Sequence, residues 1–396
     1  MSAIGSPAKT LPRRVDKLGA LVASIALGGL YLQPFALLRA NRIVAPHPQA
    51  LWNSLPTFEA TAVAVALTLA IFALLFCARI PVRLGIAVGA ALLLGIEAGR
   101  AGAHLLPAAN TFARVSPGAG FWLLLCAFLI ALADGLVRLG LSPYARLGAL
   151  AVSCAAIGLF LAFGVWNDLS MLREYHNQAE TFWREFRTHV ALAGGSLAAA
   201  AAVGIPLGIV CYRVERIRPS LLNTLNVIQT VPSIALFGLL MAPLAWIAAS
   251  VPGARALGVA GIGSAPAFIA LFAYALLPIV ANTAAGLEGI PAQARDAALG
   301  VGMTSPQRLL QVELPLAFPV ILTGIRIVLV QNIGLVVIAA LIGGGGLGVF
   351  IFQGISQTAP DLVLLGTLPV VAMAFTAAIL LDALVDIVSG RFRGKA

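Results

Sequence analysis

The side chains that most often carry catalysis are few in this sequence and lie far apart. The chain has four histidines and four cysteines, at His47, His104, His176, His189, Cys77, Cys126, Cys154 and Cys211. They form no HExxH motif and no Cys/His cluster, which zinc chemistry needs because the ligands must converge on one ion. The cysteines stand singly in or beside apolar stretches, as small buried hydrophobes do. No GxSxG motif occurs, so we predict no catalytic residue and no metal site.

Nucleotide binding has no motif in the chain either. Of three lysines, the one that follows a glycine, Lys395, ends Arg-Gly-Lys-Ala at the C-terminus and not a GxxxxGK[ST] loop. Such a loop uses its lysine and hydroxyl to reach the phosphates and Mg²⁺. We therefore expect no cofactor in this chain. If ATP drives its activity, another polypeptide must bind the nucleotide.

The composition is that of an integral membrane protein. Of the 396 residues, 60% are hydrophobic and 10% are charged, and the mean hydropathy is +1.00. Soluble globular domains carry roughly 25% charged residues, so a soluble enzyme is excluded. The net charge of +10 comes from short basic groups between apolar blocks, and no basic face for nucleic acid is present.

Ten stretches are apolar for about 20 residues, the length a helix needs to cross a hydrocarbon core roughly 30 Å thick. They lie at residues 18–38, 60–78, 84–105, 119–137, 145–165, 189–211, 221–247, 265–287, 319–342 and 362–388. We predict an all-α integral membrane protein with about ten transmembrane helices. Pro232 interrupts the seventh stretch, and a kink there would expose backbone carbonyls near Gln229.

Lysine and arginine are unequally divided between the two sets of connections. With the N-terminus inside, the inner segments carry 16 of them and the outer segments 8. The positive-inside rule then predicts that both termini are cytoplasmic. Arg326 lies near the inner start of its span and is expected to snorkel. Asp382 and Asp386, spaced i,i+4 near the inner end of the last span, are expected to pair with basic residues or stay hydrated.

Residues 168–187 are the one long polar stretch with a helical apolar period. The apolar members are Leu169, Leu172, Tyr175, Ala179, Phe182, Trp183 and Phe186. Spacing near 3.6 predicts an amphipathic helix, which most often lies in the membrane interface. We take it as the boundary between five N-terminal and five C-terminal spans.

The connection over residues 288–318 has the pattern of two short helices. Pro291 can begin the first, Gly302 can end it, and Thr304 with Pro306 can cap and open the second. Small or apolar side chains along it are Ala297, Ala298, Leu309, Leu310 and Val312. A helix pair of this kind suits a groove on a partner protein. A solvated helical hairpin is the alternative interpretation.

The spacing in this connection resembles the "EAA" signature of permease subunits of binding-protein-dependent ABC importers. Asp296-Ala297-Ala298 is followed after three residues by Gly302 and after nine more by Val312-Glu313-Leu314-Pro315. Aspartate stands where the family usually has glutamate, which keeps the charge. Further matching segments are Gly204-Ile-Pro-Leu-Gly208, Asn226-Val-Ile-Gln229-Thr230-Val-Pro232-Ser233, Gly324-Ile-Arg326 and Gly343-Gly-Gly-Gly-Leu347-Gly348. Together they look most like the glycine betaine/choline/carnitine osmoprotectant branch.

The resemblance implies a division of the chain. Residues 189–390 would form a five-helix core similar to type I ABC importer permeases, containing the 288–318 coupling loop. Residues 1–165 would be an accessory membrane region of about five spans, followed by an amphipathic linker over 166–188. Residues 391–396 would be a basic cytoplasmic tail. The protein would be a multi-pass protein of the bacterial cytoplasmic (inner) membrane.

The resemblance also implies a function and partners. The chain would be the permease subunit of an ATP-driven importer, moving glycine betaine or a related quaternary-ammonium osmoprotectant by alternating access. Its coupling residues would be Asp296, Ala297, Ala298, Gly302 and Pro315. Its partners would be ABC ATPase subunits holding ATP and Mg²⁺, a periplasmic or lipid-anchored substrate-binding protein, a second permease copy or a paralogous permease, and membrane lipid, with no nucleic acid.

Polar side chains inside the C-terminal apolar stretches are candidates for the translocation pathway. They are Asn226, Gln229, Thr230, Ser233, Asn282, Gln331 and Asn332. In a membrane such groups face protein or a water-filled cavity, not lipid. Interhelical hydrogen bonding, worth about 0.6–2 kcal/mol each, is an equally good explanation for any one of them. The Gly343–Gly348 run is expected to be a flexible turn at the outer end of the ninth span.

Other functions remain open from the residues alone. An ion-coupled secondary transporter would need no ATPase, and transport that survives loss of the ATPase would identify it. An ABC importer for another small solute, such as an amino acid, a sulfonate or a metal-related substrate, would differ only in its cargo. A membrane-bound enzyme would need acid, base or metal groups converging at one depth, and the sequence does not supply them.

Overall fold

A computed structural model of the chain describes residues 17–41, 44–77, 79–107, 110 and 112–393, with side chains described as far as residue 390. The predicted basic tail over 391–396 therefore lies outside the described side chains. The chain separates into two compact units. One comprises residues 1–141 and 157–170, and the other comprises residues 142–156 and 171–396.

Helices make up most of the described chain. In chain order they are α1 (Lys17–Tyr31), α2 (Leu51–Ser54), α3 (Thr57–Phe76), α4 (Ile80–Leu105), α5 (Ala119–Leu139), α6 (Pro143–Ala162), α7 (Ser170–Asn177), α8 (Ala179–Arg213), α9 (Arg218–Thr230), α10 (Ser233–Ser250), α11 (Ser264–Glu288), α12 (Ala292–Gly300), α13 (Ser305–Arg308), α14 (Leu314–Ala339), α15 (Gly348–Ser356) and α16 (Pro360–Arg393). Among the described residues, nine helical segments are long and apolar enough to span a membrane. The prediction of a helical membrane protein is confirmed.

The first predicted span, 18–38, is shorter than the sequence suggested. Within the described residues α1 covers 15 residues, from Lys17 to Tyr31, which is about 22 Å of helix against a hydrocarbon core of roughly 30 Å. Pro34 follows closely, and the residue before a proline is disfavoured in the helical conformation. The predicted ten spans are thus nine spans and one short apolar helix in the part of the chain that the structure describes.

The first unit also contains a small antiparallel sheet, which the all-α prediction missed. The strand β1 (Ala36–Arg39) lies between β2 (His47–Gln49) and β3 (Arg114–Pro117), with Leu37 opposite Pro48 and Ser116. Strands of three or four residues are too short to give a period-2 apolar pattern. Helices α1, α3, α4 and α5 share one apolar core in the same unit.

The second unit is built mainly from α8, α11, α14 and α16. Small residues of α8 allow α11 to approach closely. A Cβ atom at Gly204 would lie 2.9 Å from Ile279 Cγ2, and one at Gly208 would lie 2.5 Å from Thr283 Cβ. Larger residues there would push the two helices apart, which is how small-xxx-small spacings act in membrane proteins.

The amphipathic stretch over 168–187 is not one separate interfacial helix. α7 ends at Asn177, Gln178 interrupts the helix, and α8 begins at Ala179 and runs for 35 residues through the next span. Part of the apolar face is covered by protein, because Phe182 is buried and its ring contacts Phe350. Leu172 and Phe182 are buried, whereas Trp183 is 48% exposed, so tertiary packing accounts for part of the 3.6-residue period. An interfacial position of the stretch stays a prediction.

Candidate functional site

The 288–318 connection contains the first short helix that the sequence predicts. α12 begins after Pro291 and ends at Gly300. Gly302 has φ of +79°, and its N–H donates to the Leu299 carbonyl at 2.9 Å, while the Met303 N–H donates to the Ala298 carbonyl at 3.1 Å. These bonds cap the helix, and the left-handed backbone of Gly302 favours glycine.

The second predicted short helix is instead the start of a transmembrane helix. Thr304 and Gln307 form a capping box at the start of α13. Residues Leu309–Glu313 then form a π-helical turn that leads without a break into α14. Pro315 has no N–H to donate to the carbonyl four residues before it, which is a local reason for the wider turn.

The predicted coupling residues differ in exposure. Asp296 and Ala297 are exposed, whereas Ala298 is buried. Three large apolar side chains of the same connection are 53%, 74% and 64% exposed, at Leu299, Val301 and Leu310 respectively. Exposed apolar groups beside a carboxylate are typical of a protein-binding surface. We call the following residues the coupling surface: Asp296, Ala297, Leu299, Val301 and Leu310.

Two arginines, which sequence reasoning missed, hold this surface in place. Arg295 donates to the Tyr212 hydroxyl at 2.9 Å and to the Ile290 carbonyl at 2.8 Å. Tyr212 belongs to the last turn of α8, so this bond fixes α12 to a membrane helix. Arg308 Nε donates to Glu313 Oε1 at 2.8 Å, and Glu313 is 1% exposed. A carboxylate so buried needs a charged partner because its desolvation is costly.

A second candidate site is a break in the seventh predicted span. α9 ends at Thr230 and α10 begins at Ser233, with extended backbone at Val231 and Pro232 between them. The Tyr274 hydroxyl donates to the Val231 carbonyl at 2.5 Å, and the Gln229 amide donates to the Tyr274 carbonyl at 2.7 Å. The predicted kink is thus a complete break of the helix. Tyr274 of α11 forms hydrogen bonds with the Val231 carbonyl and the Gln229 amide at this break. Irregular backbone at membrane depth occurs where protein or a cavity surrounds it.

Several predicted pathway residues make hydrogen bonds within the protein. Asn332 Nδ2 donates to Ser196 Oγ at 2.8 Å, and both residues are fully buried. Asn282 Nδ2 donates to the Pro278 carbonyl at 2.7 Å. Thr230 Oγ1 donates to a carbonyl of its own helix. Asn226 is exposed, and Ser233, Gln229 and Gln331 are partly exposed. A role of these side chains in translocation remains a prediction.

A cluster of four charged side chains joins three helices of the second unit. Asp382 of α16 accepts from Arg326 of α14 and from Arg146 of α6, and Arg146 also bonds Asp386. The Arg326 and Asp382 side chains are 35% and 41% exposed, so Arg326 makes a partly exposed ion pair, which is compatible with the expected snorkelling. The pairing of Asp382 and Asp386 with basic residues is confirmed. Two arginines and two aspartates leave no net charge, which lowers the cost of placing them near a membrane.

Comparison with known proteins identifies the family. The family model "Binding-protein-dependent transport system inner membrane component" matches residues 204–394. An osmoprotectant import permease of Salmonella typhimurium is 41% identical over 186 residues, which are 47% of this chain and 81% of the relative. The chain belongs to the permeases of binding-protein-dependent ABC importers. Residues 16–172 of this permease match the family model "ABC transporter permease YehY, N-terminal domain".

A further relative agrees with this assignment, and one solved structure is similar over about half of the chain. A Bacillus subtilis choline transport system permease is 33% identical to this permease over 198 residues, covering 50% of this chain and 83% of the relative. A solved structure titled as inward-facing conformations of the MetNI methionine ABC transporter covers 54% of this chain and 98% of its own, at 21% identity and a TM-score of 0.46.

Membership of this family decides the class of activity. The permease is a multi-pass inner-membrane protein and a transport subunit, not an enzyme. It works with an ATPase on a separate subunit and with a substrate-binding protein. The alternatives of a secondary transporter and a membrane-bound enzyme are not favoured.

Proposed function

We propose that this permease imports a quaternary-ammonium osmoprotectant such as glycine betaine, choline or carnitine. The observation that carries the proposal is the 41% identity to the Salmonella osmoprotectant import permease over most of that protein. Relatives from Bacillus subtilis named for choline and for glycine betaine, carnitine and choline support the same class.

The chemistry of the broken span fits such a cargo. A quaternary ammonium group has no N–H to donate, so amides and hydroxyls such as those of Gln229, Thr230 and Ser233 would hydrogen-bond only the carboxylate or hydroxyl group of such a cargo. Aromatic faces attract the cation without a formal charge; Tyr274 lies beside the break but is 5% exposed, so a rearrangement of the break would be needed to present its ring. Weak contacts suit a pathway, because a bound substrate must also leave.

We further propose that the coupling surface docks on the partner ATPase, which holds ATP and Mg²⁺. Exposed Asp296, Leu299 and Val301 would enter its groove, and the Arg295–Tyr212 and Arg308–Glu313 contacts would pass its movement to α8 and α14. A second permease copy would complete the pathway. Both termini and α12 would face the cytoplasm, as the distribution of basic residues predicts.

The substrate class is tested by uptake into vesicles that contain the permease, its ATPase and its binding protein. We expect ATP-dependent uptake of radiolabelled glycine betaine, inhibited by excess choline or carnitine and unaffected by excess methionine. The matched control is the same preparation with a hydrolysis-deficient ATPase. Inhibition by methionine, with none by choline or carnitine, would contradict the proposed class.

The orientation is tested by labelling a cysteine at Asp296→Cys in a chain whose four native cysteines are replaced by serine. A membrane-impermeant maleimide should label it in inside-out vesicles and leave it unlabelled in intact right-side-out vesicles. Thr188→Cys is the matched control for the opposite end of α8. Labelling of position 296 from the outside would reverse the proposed orientation.

A further inference from the structure

Two buried side chains of α8 hold the glycine-rich loop over residues 343–347. Glu185 Oε2 accepts a hydrogen bond from the Gly346 N–H at 2.8 Å, and His189 Nδ1 accepts one from the Leu347 N–H at 3.2 Å. Glu185 is 8% exposed and His189 is fully buried. Two backbone donors of the loop therefore depend on side chains of a distant helix.

His189 also connects the loop to α14. Its Nε2 lies 3.0 Å from the Ile333 carbonyl. Because Nδ1 accepts a hydrogen bond, the proton of the neutral ring is on Nε2, which donates to that carbonyl. One imidazole thus joins α8, α14 and the loop. Deeper along the same two helices, Ser196 and Asn332 make a further polar contact.

The loop can adopt this shape because its residues are glycines. Gly345 and Gly346 have φ of +76° and +88°, which costs other residues roughly 1–2 kcal/mol each. A Cβ atom at Gly345 would lie 3.0 Å from Glu185 Oε2, and one at Gly346 would lie 3.0 Å from Val336 Cγ1. The loop is therefore a fitted contact, not the flexible turn that the sequence suggests. We call Glu185, His189 and residues 343–347 the α8 latch.

The α8 latch lies far from the coupling surface along the same helix. Glu185 and Tyr212 are separated on α8 by about 40 Å, at 1.5 Å per residue, which exceeds the roughly 30 Å hydrocarbon core. Tyr212 contacts Arg295 of the 288–318 connection, so the latch belongs to the opposite membrane face. A pathway that alternates between faces needs a contact on that face that can open and close.

We propose that Glu185 and His189 are positioning residues for transport: they close the 343–347 loop against α8, and this contact opens when the pathway opens to the outside. Backbone donors released from Glu185 and His189 can be satisfied by water at that face, so opening exchanges hydrogen bonds and does not leave them unmade. The inference rests on the proposed import function. The closed and open forms are two packings of the same elements, as in other switches.

A disulfide between the loop and α8 tests the proposal directly. A Cβ atom at Gly345 would lie 3.8 Å from Thr188 Cβ, the usual separation in a disulfide. We place Thr188→Cys and Gly345→Cys together in the cysteine-free chain, in vesicles with the ATPase and binding protein. Oxidation should lower glycine betaine uptake at least tenfold, and dithiothreitol should restore it. Gly345→Cys alone controls for backbone strain and should not respond to oxidation.

The rate of disulfide formation gives a second measurement that needs no substrate. Trapping the ATPase with ATP and vanadate should slow disulfide formation at least fivefold compared with the nucleotide-free state. The proposal would be overturned by full uptake in the oxidised Thr188→Cys/Gly345→Cys variant. Equal rates of disulfide formation in the vanadate-trapped and nucleotide-free states would also overturn it. Failure of the unmodified transporter to take up glycine betaine would instead contradict the substrate proposal, and the cross-linking rates would still test the latch.

Two variants of Glu185 distinguish a role in positioning the loop from a role in folding. Glu185→Gln retains an oxygen that can accept from the Gly346 N–H but loses the oxygen that accepts from Arg184 Nε at 3.2 Å, so it should keep more of the uptake than Glu185→Leu. Glu185→Leu removes the acceptor and should raise ATP hydrolysis in the absence of binding protein, because the outside-closed form loses a stabilising contact. A correctly inserted Glu185→Leu transporter with unchanged basal hydrolysis and normal uptake would count against the proposal.

Discussion

Two exposed glycines of the 288–318 connection, Gly300 and Gly302, allow a test at the scale of single residues. A Cβ atom would meet no other atom within 4 Å at either Gly300 or Gly302. Gly302 has φ of +79°, whereas Gly300 is the last residue of α12 and is not in the left-handed region. Both positions therefore have room for a Cβ atom, and only the backbone conformation of Gly302 disfavours a residue other than glycine.

We predict that Gly302→Ala reduces ATP hydrolysis stimulated by loaded binding protein severalfold, while Gly300→Ala leaves it unchanged. Alanine at 302 costs roughly 1–2 kcal/mol in the left-handed region, and the helix cap would shift the coupling surface. Stimulated hydrolysis in vesicles is the measurement, with protease resistance as a check on folding. Equal stimulation in the two variants would show that the cap does not position the surface.

At the scale of elements, the π-helical turn between α13 and α14 allows an ion pair that can be tested. Arg308 and Glu313 are five residues apart, and the wider turn places them on the same side of the helix. We predict that Arg308→Gln destabilises the protein by about 3–5 kcal/mol, because it leaves the Glu313 carboxylate buried and unpaired. The double variant Arg308→Gln/Glu313→Gln should lose less. Thermal unfolding in detergent compares them, and additive losses would exclude a coupled pair.

The break between α9 and α10 gives another prediction for an element. Tyr274→Phe leaves the Val231 carbonyl without its donor and should cost about 1–3 kcal/mol. It should also lower uptake, since the unwound segment loses its attachment to α11. Tyr144→Phe, at an exposed tyrosine of α6, is the matched control. Unchanged melting temperature and uptake in Tyr274→Phe would mean that the break is held by other contacts.

Some elements could be predicted from the sequence and others could not, for physical reasons. Length and apolarity predicted most spans, and Pro291, Gly302 and Thr304 predicted the caps of α12 and α13, because these signals are local. The Arg308–Glu313 pair was missed because i,i+5 is not a contact of a regular α-helix. The contact of His189 with Leu347 links residues far apart in sequence, which no local pattern reveals.

At the scale of the whole molecule, the four-charge cluster predicts unequal roles for two aspartates. Asp382 accepts from both Arg326 and Arg146, whereas Asp386 accepts from Arg146 alone. We predict that Asp382→Asn lowers the free energy of unfolding more than Asp386→Asn, by roughly 0.2–1 kcal/mol for one partly exposed pair, and that its melting temperature is correspondingly lower. Thermal unfolding in detergent measures both. The reverse order would contradict the described pairing.

The same four-charge cluster affects how a truncated form of the chain should be designed. Arg146 lies within the segment 1–165 that a shortened, core-only protein would lack, yet its guanidinium neutralises Asp386. A chain beginning at residue 166 would leave that carboxylate, which is 47% exposed, without its counter-ion at a cost of about 0.2–1 kcal/mol, so its yield would report on this pair as well as on the remaining helices. Any such truncation should therefore carry Asp386→Asn before the accessory region is judged indispensable.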